Sequence, residues 1–169
     1  MDQSEFLSVV FPFKDRLFRM AKRLLISSEE AQDATQEVLL KLWTKKASLQ
    51  TYTSIEALAI TMTKNYCLDQ LKSKRANTSS ISSVNYEEKQ ADLHQKLEGK
   101  DSLVWVEKII SQLPDQQKII IQLREIEQMD FAEIAKILEM NEAAIRVNLS
   151  RARKTIRENY KKINSYGVD

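Results

Sequence analysis

Residues 130–162 read "DFAEIAKILEMNEAAIRVNLSRARKTIRENYKK", and two helices joined by the short turn "EMN" account for the pattern. Apolar positions at Phe131, Ile134, Ala135 and Leu138 predict one buried face on a short helix. Ile145, Leu149, Ala152, Ile156 and Tyr160 fall on one stripe of a second helix over about 142–160. Asp130 and Asn141 are natural N-caps for the two, because a short side-chain oxygen satisfies an orphan N–H of the first turn. Broadly opposite the second stripe stand Arg146, Val147, Ser150, Arg151, Arg153, Lys154 and Arg157. Residues 141–162 carry seven cations against two glutamates, whereas 115–140 carry three against six acids. A merely solvated face would mix signs, as salt-bridged surfaces do. Segregation of positive charge is what phosphate binding requires. A short helix followed closely by a basic one matches a helix-turn-helix whose second helix enters the major groove. Its first two turns place Ala143, Arg146, Val147 and Ser150 toward base edges, with Arg146 able to fork onto guanine. Further along, Arg151, Arg153, Lys154 and Arg157 are placed to grip phosphates.

Working outward, Pro114 suits the first turn of a helix over 115–127, and another precedes it at about 101–112. Between residues 77 and 100 the apolar spacing dissolves into serine, asparagine and charge, which reads as a linker. As a coil it would span roughly 25–30 Å. On its other side, residues 5–26 repeat apolar positions three and four apart, with Pro12 either starting a second helix or bending the first. Ser27 or Ser28 caps a second helix reaching about Lys46, and a third runs from about Ser54 to Arg75. The expected fold is all-α: two small helical domains, residues 1–76 and 101–169, joined by the flexible linker 77–100, the C-terminal one a helix-turn-helix.

Composition narrows the function. Only two glycines and two prolines occur in 169 residues, too few for sheets with tight turns. A single Cys67 suits a reducing interior, and with one His94 a nitrogen- or sulfur-ligated metal site has no ligands to draw on. No Gly-rich phosphate loop is present, and His94 falls in the linker, so neither catalysis nor a cofactor is expected. Apolar runs are too short to cross a bilayer and the N-terminus lacks a signal-peptide pattern, which predicts no membrane insertion and a cytoplasmic protein. The net charge of +2 hides its layout: residues 1–75 carry 12 cations and 9 acids, so local clusters must carry the argument about partners.

Residues 112–158, "QLPDQQKIIIQLREIEQMDFAEIAKILEMNEAAIRVNLSRARKTIRE", resemble the promoter-binding domain of ECF-group sigma factors of bacterial RNA polymerase. Leu113-Pro114, Glu133-Ile134-Ala135 and Arg151-Ala152-Arg153-Lys154 carry the likeness. That domain alone also fits response-regulator output domains; the N-terminal half makes the resemblance specific. Residues 29–43, "EEAQDATQEVLLKLW", look like the helix with which such factors dock on polymerase, and 63–75, "TKNYCLDQLKSKR", like the helix after the promoter-melting loop. The resemblance implies that residues 1–76 hold core RNA polymerase and capture the melted downstream (−10) promoter strand, while 101–169 read the upstream (−35) element. It implies a specificity subunit and not a catalyst, with core polymerase, promoter DNA and an anti-sigma factor as partners.

Independently of the resemblance, Ala31, Ala34, Thr35, Val38 and Leu42 form a core stripe on the docking helix, leaving Leu39, Leu40 and Trp43 beside Asp33 and Gln36. An apolar patch ringed by polar residues fits a protein-binding surface, though the same residues could pack inside a small bundle. By resemblance, Asp33, Gln36, Glu37 and Trp43 match polymerase-contacting positions. Tyr52, Lys64, Asn65, Lys72, Lys74 and Arg75 supply the basic and planar groups that strand capture needs. Lys72, Lys74 and Arg75 also complement the dipole at a helix C-terminus, an equally good structural account.

Ala57 stands about where relatives commonly carry tryptophan, Glu139 where the turn usually has glycine, and Val147 and Asn148 where relatives are polar or basic. Glu139 therefore predicts either a costly positive φ or a different turn. Two other readings remain open: a DNA-binding regulator with an unrelated N-terminal partner, and an all-helical adaptor with no nucleic acid role. The acidic run 115–140 further predicts that the two halves pack together without polymerase and cover the DNA-reading surfaces.

Overall fold

The structure is a computed structural model that describes residues 1–78 and 102–166, so nearly all of the expected linker, 77–100, lies outside the described residues. What is described is helical throughout. The order is α1 (Gln3–Leu25), α2 (Ser28–Thr44), a 3-10 turn (Lys46–Thr51), α3 (Ile55–Thr78), α4 (Ser102–Ser111), α5 (Asp115–Ile121), a π-helical turn (Gln122–Ile126), α6 (Phe131–Leu138) and α7 (Glu142–Tyr166).

The ends of α1 and α2 follow from their capping residues. Asp2 and Glu5 satisfy each other's backbone N–H at 2.8 and 2.9 Å, a capping box that starts α1. Pro12 does not start a new helix: α1 runs continuously through it. The hydrogen bond it forfeits would go to the Ser8 carbonyl, and both residues lie on the solvent face, where water replaces it. Ile26 then takes φ 70°, a strained value for a β-branched residue, and Ser27 Oγ accepts from the Glu30 N–H at 3.2 Å to open α2.

Small residues let α1 and α2 approach closely: Ala31, Ala34, Thr35, Val38 and Leu42 are all buried. The Thr35 hydroxyl, sealed in that contact, donates to the Ala31 carbonyl at 2.8 Å. Leu17, Met20, Leu24, Leu49 and Ile60 complete this core, each such side chain contributing about 1.5–3 kcal/mol of burial. Cys67 lies on the α3 side of it, and burial pushes its thiol up to about 12, so it is inert packing rather than a reactive group.

In the second half, Ile110 of α4 packs with Ile119–Ile121, Leu123, Ile134, Ile145, Leu149 and Ala152, and Trp105 and Ile109 of the same helix are also buried. The helix expected over 115–127 is not one regular helix. After Ile121 it widens into a π-turn closed by the Glu127 N–H on the Gln122 carbonyl at 3.0 Å. The extra residue lets Gln122 and Leu123 both stay buried while the Glu127 side chain turns toward α1.

The two halves share one continuous apolar core, with α1 against α5 and the π-turn, and α3 against α6. No described helix is long and apolar enough to cross a membrane.

Candidate nucleic-acid interface

The helix-turn-helix forms where the sequence puts it. Asp130 accepts from the Glu133 N–H at 2.9 Å and Asn141 from the Ala144 N–H at 2.7 Å, so both expected N-caps are in place. Glu139 closes α6 in the left-handed region at φ 54°, ψ 43°, the costlier of the two outcomes foreseen for a non-glycine turn. The α6 core face differs from expectation. Ile134 is buried with Ile137, while Phe131, Ala135 and Leu138 are only half-buried. Phe131 stays at the surface because its ring serves as a platform: the guanidiniums of Arg124 and Arg146 both lie 4.1 Å from its centroid.

On α7, Ile145, Leu149 and Ala152 are buried and Ile156 and Tyr160 half-buried, which turns the opposite face outward. Ala143, Arg146, Val147, Ser150, Arg151, Arg153, Lys154 and Arg157 are all exposed there. Three of the cations have partners that leave them accessible. Arg146 stacks on Phe131, Arg153 Nε donates to Glu125 Oε1 at 2.6 Å, and Lys154 lies 4.0 Å from Glu158. The ridge is not covered by the packing of the two halves, contrary to the expectation that both DNA-reading surfaces would be.

The downstream set is divided. Tyr52, Asn65, Lys72, Lys74 and Arg75 are exposed and Lys64 half-buried. Lys64 Nζ donates to the Ile137 carbonyl at 3.5 Å, and Lys74 is paired with Glu30. Arg75 donates from both terminal nitrogens to Asp115, at 2.8 and 3.1 Å. Tyr52 lines a groove shared by both halves, with Arg16, Glu56 and Ala57 on one wall and Met129, Glu133 and Lys136 on the other.

On α2, Asp33, Gln36 and Leu40 are exposed, Leu40 with 57% of its surface free, while Glu37, Leu39 and Trp43 are half-buried. Trp43 and Phe6 pack edge-to-face with ring centroids 5.1 Å apart, and Lys46 lies over the Trp43 ring at 3.8 Å. It therefore packs within the bundle as well as facing outward.

Residues the sequence reading did not single out hold the halves together. Arg16, Arg19 and Arg23 lie on one face of α1, at the three- and four-residue spacing that could have flagged them. Arg19 reaches both oxygens of Glu127 at 2.5 and 2.8 Å, Arg16 reaches the same carboxylate at 3.3 Å, and Arg23 pairs with Glu107 and Gln122. The Arg19 hydrogen bonds hold the Glu127 carboxyl below the usual carboxylate range, against the opposing effect of its burial. Beside Asp115, Lys118 is buried, and burial lowers its ammonium pKa.

Comparison with known proteins places these elements. The sigma-70 region 2 family matches residues 12–77 and the sigma-70 region 4 family residues 103–156. The chain is 23% identical over 172 residues to the ECF RNA polymerase sigma factor SigW of Bacillus subtilis, covering 93% of this chain and 89% of the relative. It is 23% identical over 167 residues to the RNA polymerase sigma-H factor of Pseudomonas aeruginosa, covering 92% of this chain and 86% of that one. Among solved structures, the sigma factor RpoE of Bartonella quintana, crystallised with the anti-sigma factor NepR, superimposes with a TM-score of 0.73 at 19% identity, over 93% of this chain and 97% of that one.

Proposed function

The chain belongs to the ECF group of sigma factors, with sigma-70 regions 2 and 4 in that order, and from that premise we propose that it binds core RNA polymerase and directs promoter-specific initiation. The observation that carries this reading is the pairing of both regions in one chain, the second bearing an exposed basic ridge on α7. Arg146 reads a base edge, and Arg151, Arg153, Lys154 and Arg157 hold the upstream duplex by its phosphates. Tyr52, Lys64, Asn65, Lys72, Lys74 and Arg75 take the melted downstream strand. Asp33, Gln36, Glu37, Leu39, Leu40 and Trp43 form the face toward polymerase.

The chain acts in the cytoplasm as a specificity subunit and not as a catalyst. An anti-sigma factor controls it, a reading supported by the fold it shares with a sigma factor crystallised with such a partner. Purified chain added to core polymerase should give transcripts from a defined subset of promoters in a host DNA library. A chain that does not bind core polymerase would refute the reading.

A further inference from the structure

Three exposed aliphatic side chains from three separate elements converge on one groove of about 560 Å³. Ile26 at the end of α1, Val104 on α4 and Ile126 on the π-turn keep 58%, 41% and 46% of their surface open. Half-buried Phe18 completes the apolar lining. Ile26 takes its strained φ of 70° without being buried in return, and backbone strain of this kind persists mostly where it serves a site.

The rim carries an excess of positive charge. Arg19, Lys22, Arg23 and Lys108 line the groove with a single carboxylate, Glu107. Arg23 pairs with Glu107, and Arg19 with Glu127 below. Lys22 donates to the Ser28 hydroxyl at 2.8 Å, and Lys108 lies 5.8 Å from the centroid of the Trp105 ring. Those two ammonium groups stand on different walls, α1 and α4, and neither forms an ion pair with a carboxylate among the described residues. A small amphiphile carries its charge at one end. A cation on each wall of an apolar groove instead suits an element with apolar anchors along its middle and carboxylates on both flanks, which is an acidic amphipathic helix.

We propose that this groove is a docking site for an acidic amphipathic helix of a partner protein, its apolar stripe on Ile26, Val104 and Ile126 and its carboxylates toward Lys22 and Lys108. No lining residue belongs to α2 or α7, so an occupant of the groove leaves the surfaces proposed for polymerase and for upstream DNA uncovered. The inference rests on neither of those assignments.

The test uses the full chain and a fluorescein-labelled peptide of about 15 residues, long enough to form a helix, with leucines at i, i+3, i+4 and i+7 and glutamates and alanines elsewhere. Fluorescence anisotropy should show saturable binding about tenfold tighter than that of a scrambled peptide of the same composition or of the peptide with lysines for glutamates. Val104→Asp should weaken it about tenfold with the melting temperature nearly unchanged, because Val104 is exposed. The double variant Lys22→Glu with Lys108→Glu should lose the acidic peptide and gain the lysine one, a reversal that misfolding does not produce. Equal binding of the scrambled peptide, or an unchanged affinity in both variants, overturns the proposal. Saturable binding of dodecanoate where the acidic peptide does not bind would assign the groove to a small amphiphile. A wild-type dimer in sedimentation velocity that Val104→Asp dissociates would assign it to a second copy, and either result overturns the partner helix. Core polymerase binding is scored separately, so failure of the sigma-factor reading is seen on its own.

Discussion

Arg146 lies with its guanidinium 4.1 Å from the centroid of the Phe131 ring, which ties α7 to the first residue of α6. The stack fixes the direction of a side chain that is otherwise free at the surface, and an oriented guanidinium loses less entropy when it forks onto a base. Phe131→Leu keeps the apolar contact and removes the platform. The expected effect is about 0.5–1 kcal/mol, roughly a two- to fivefold loss of affinity for the cognate upstream element in fluorescence anisotropy. Affinity for unrelated duplex should change less, because the cations proposed to hold the phosphates are untouched. Equal loss on both sequences would show that the stack does not orient a base-reading group.

At Glu139 the left-handed backbone is occupied by a residue with a Cβ. Glu139→Gly should relieve that strain and stabilise the C-terminal half by about 0.5–1 kcal/mol. A shift of about 1–4 °C in Tm follows for a cooperative unit that includes both halves, read by calorimetry. Unchanged or lowered stability would mean that the Glu139 side chain contributes more than its backbone costs.

The α2 surface separates docking from folding. Leu40 is exposed, so Leu40→Asp should leave the melting temperature nearly unchanged and weaken core polymerase binding at least tenfold, as an anchor at an interface would. Trp43→Ala removes the edge-on contact with Phe6 and should cost about 2–3 kcal/mol of stability as well as binding. Wild-type pull-down of polymerase by Leu40→Asp would remove this helix from the docking surface.

Local features were legible because they depend on near neighbours. The caps at Asp130 and Asn141, the stripe of α2 and the outward ridge of α7 all follow from periodicity and short-range hydrogen bonding. What the sequence hid was long-range. Phe131 has the spacing of a core residue, and nothing nearby shows that two arginines would claim its ring. The π-turn after Ile121 exists because Gln122 is buried against Arg23 and Glu127 faces Arg19, partners about a hundred residues away in sequence. Arg75 was equally well explained as a dipole complement or a strand contact, and its bond to Asp115 belongs to neither account.

Acid should loosen the junction between the halves, and the sign follows from Glu127. Its carboxyl is held below its ordinary range, first by the Arg19 hydrogen bonds and then by the charges of Arg19 and Arg16, with Gln122 also donating to it. A carboxyl whose folded value lies below its unfolded one adds stability above the ordinary carboxylate range, and that stability is lost as the pH falls through the depressed folded value. The other charges facing this cluster are Glu56, paired with Arg16, and Asp15, close to Arg19. Both are carboxylates that face the same arginines. Arg19 is nearly half exposed, which limits the contribution of its pair with Glu127 to about 1–3 kcal/mol. Scattering on wild type should therefore show expansion on acidification below the carboxylate range, before the helices melt by circular dichroism. Glu127→Gln should already be more open at neutral pH and should flatten that dependence. If the variant and the wild type expand in parallel, the pH response does not come from Glu127, and Glu127 does not hold the junction.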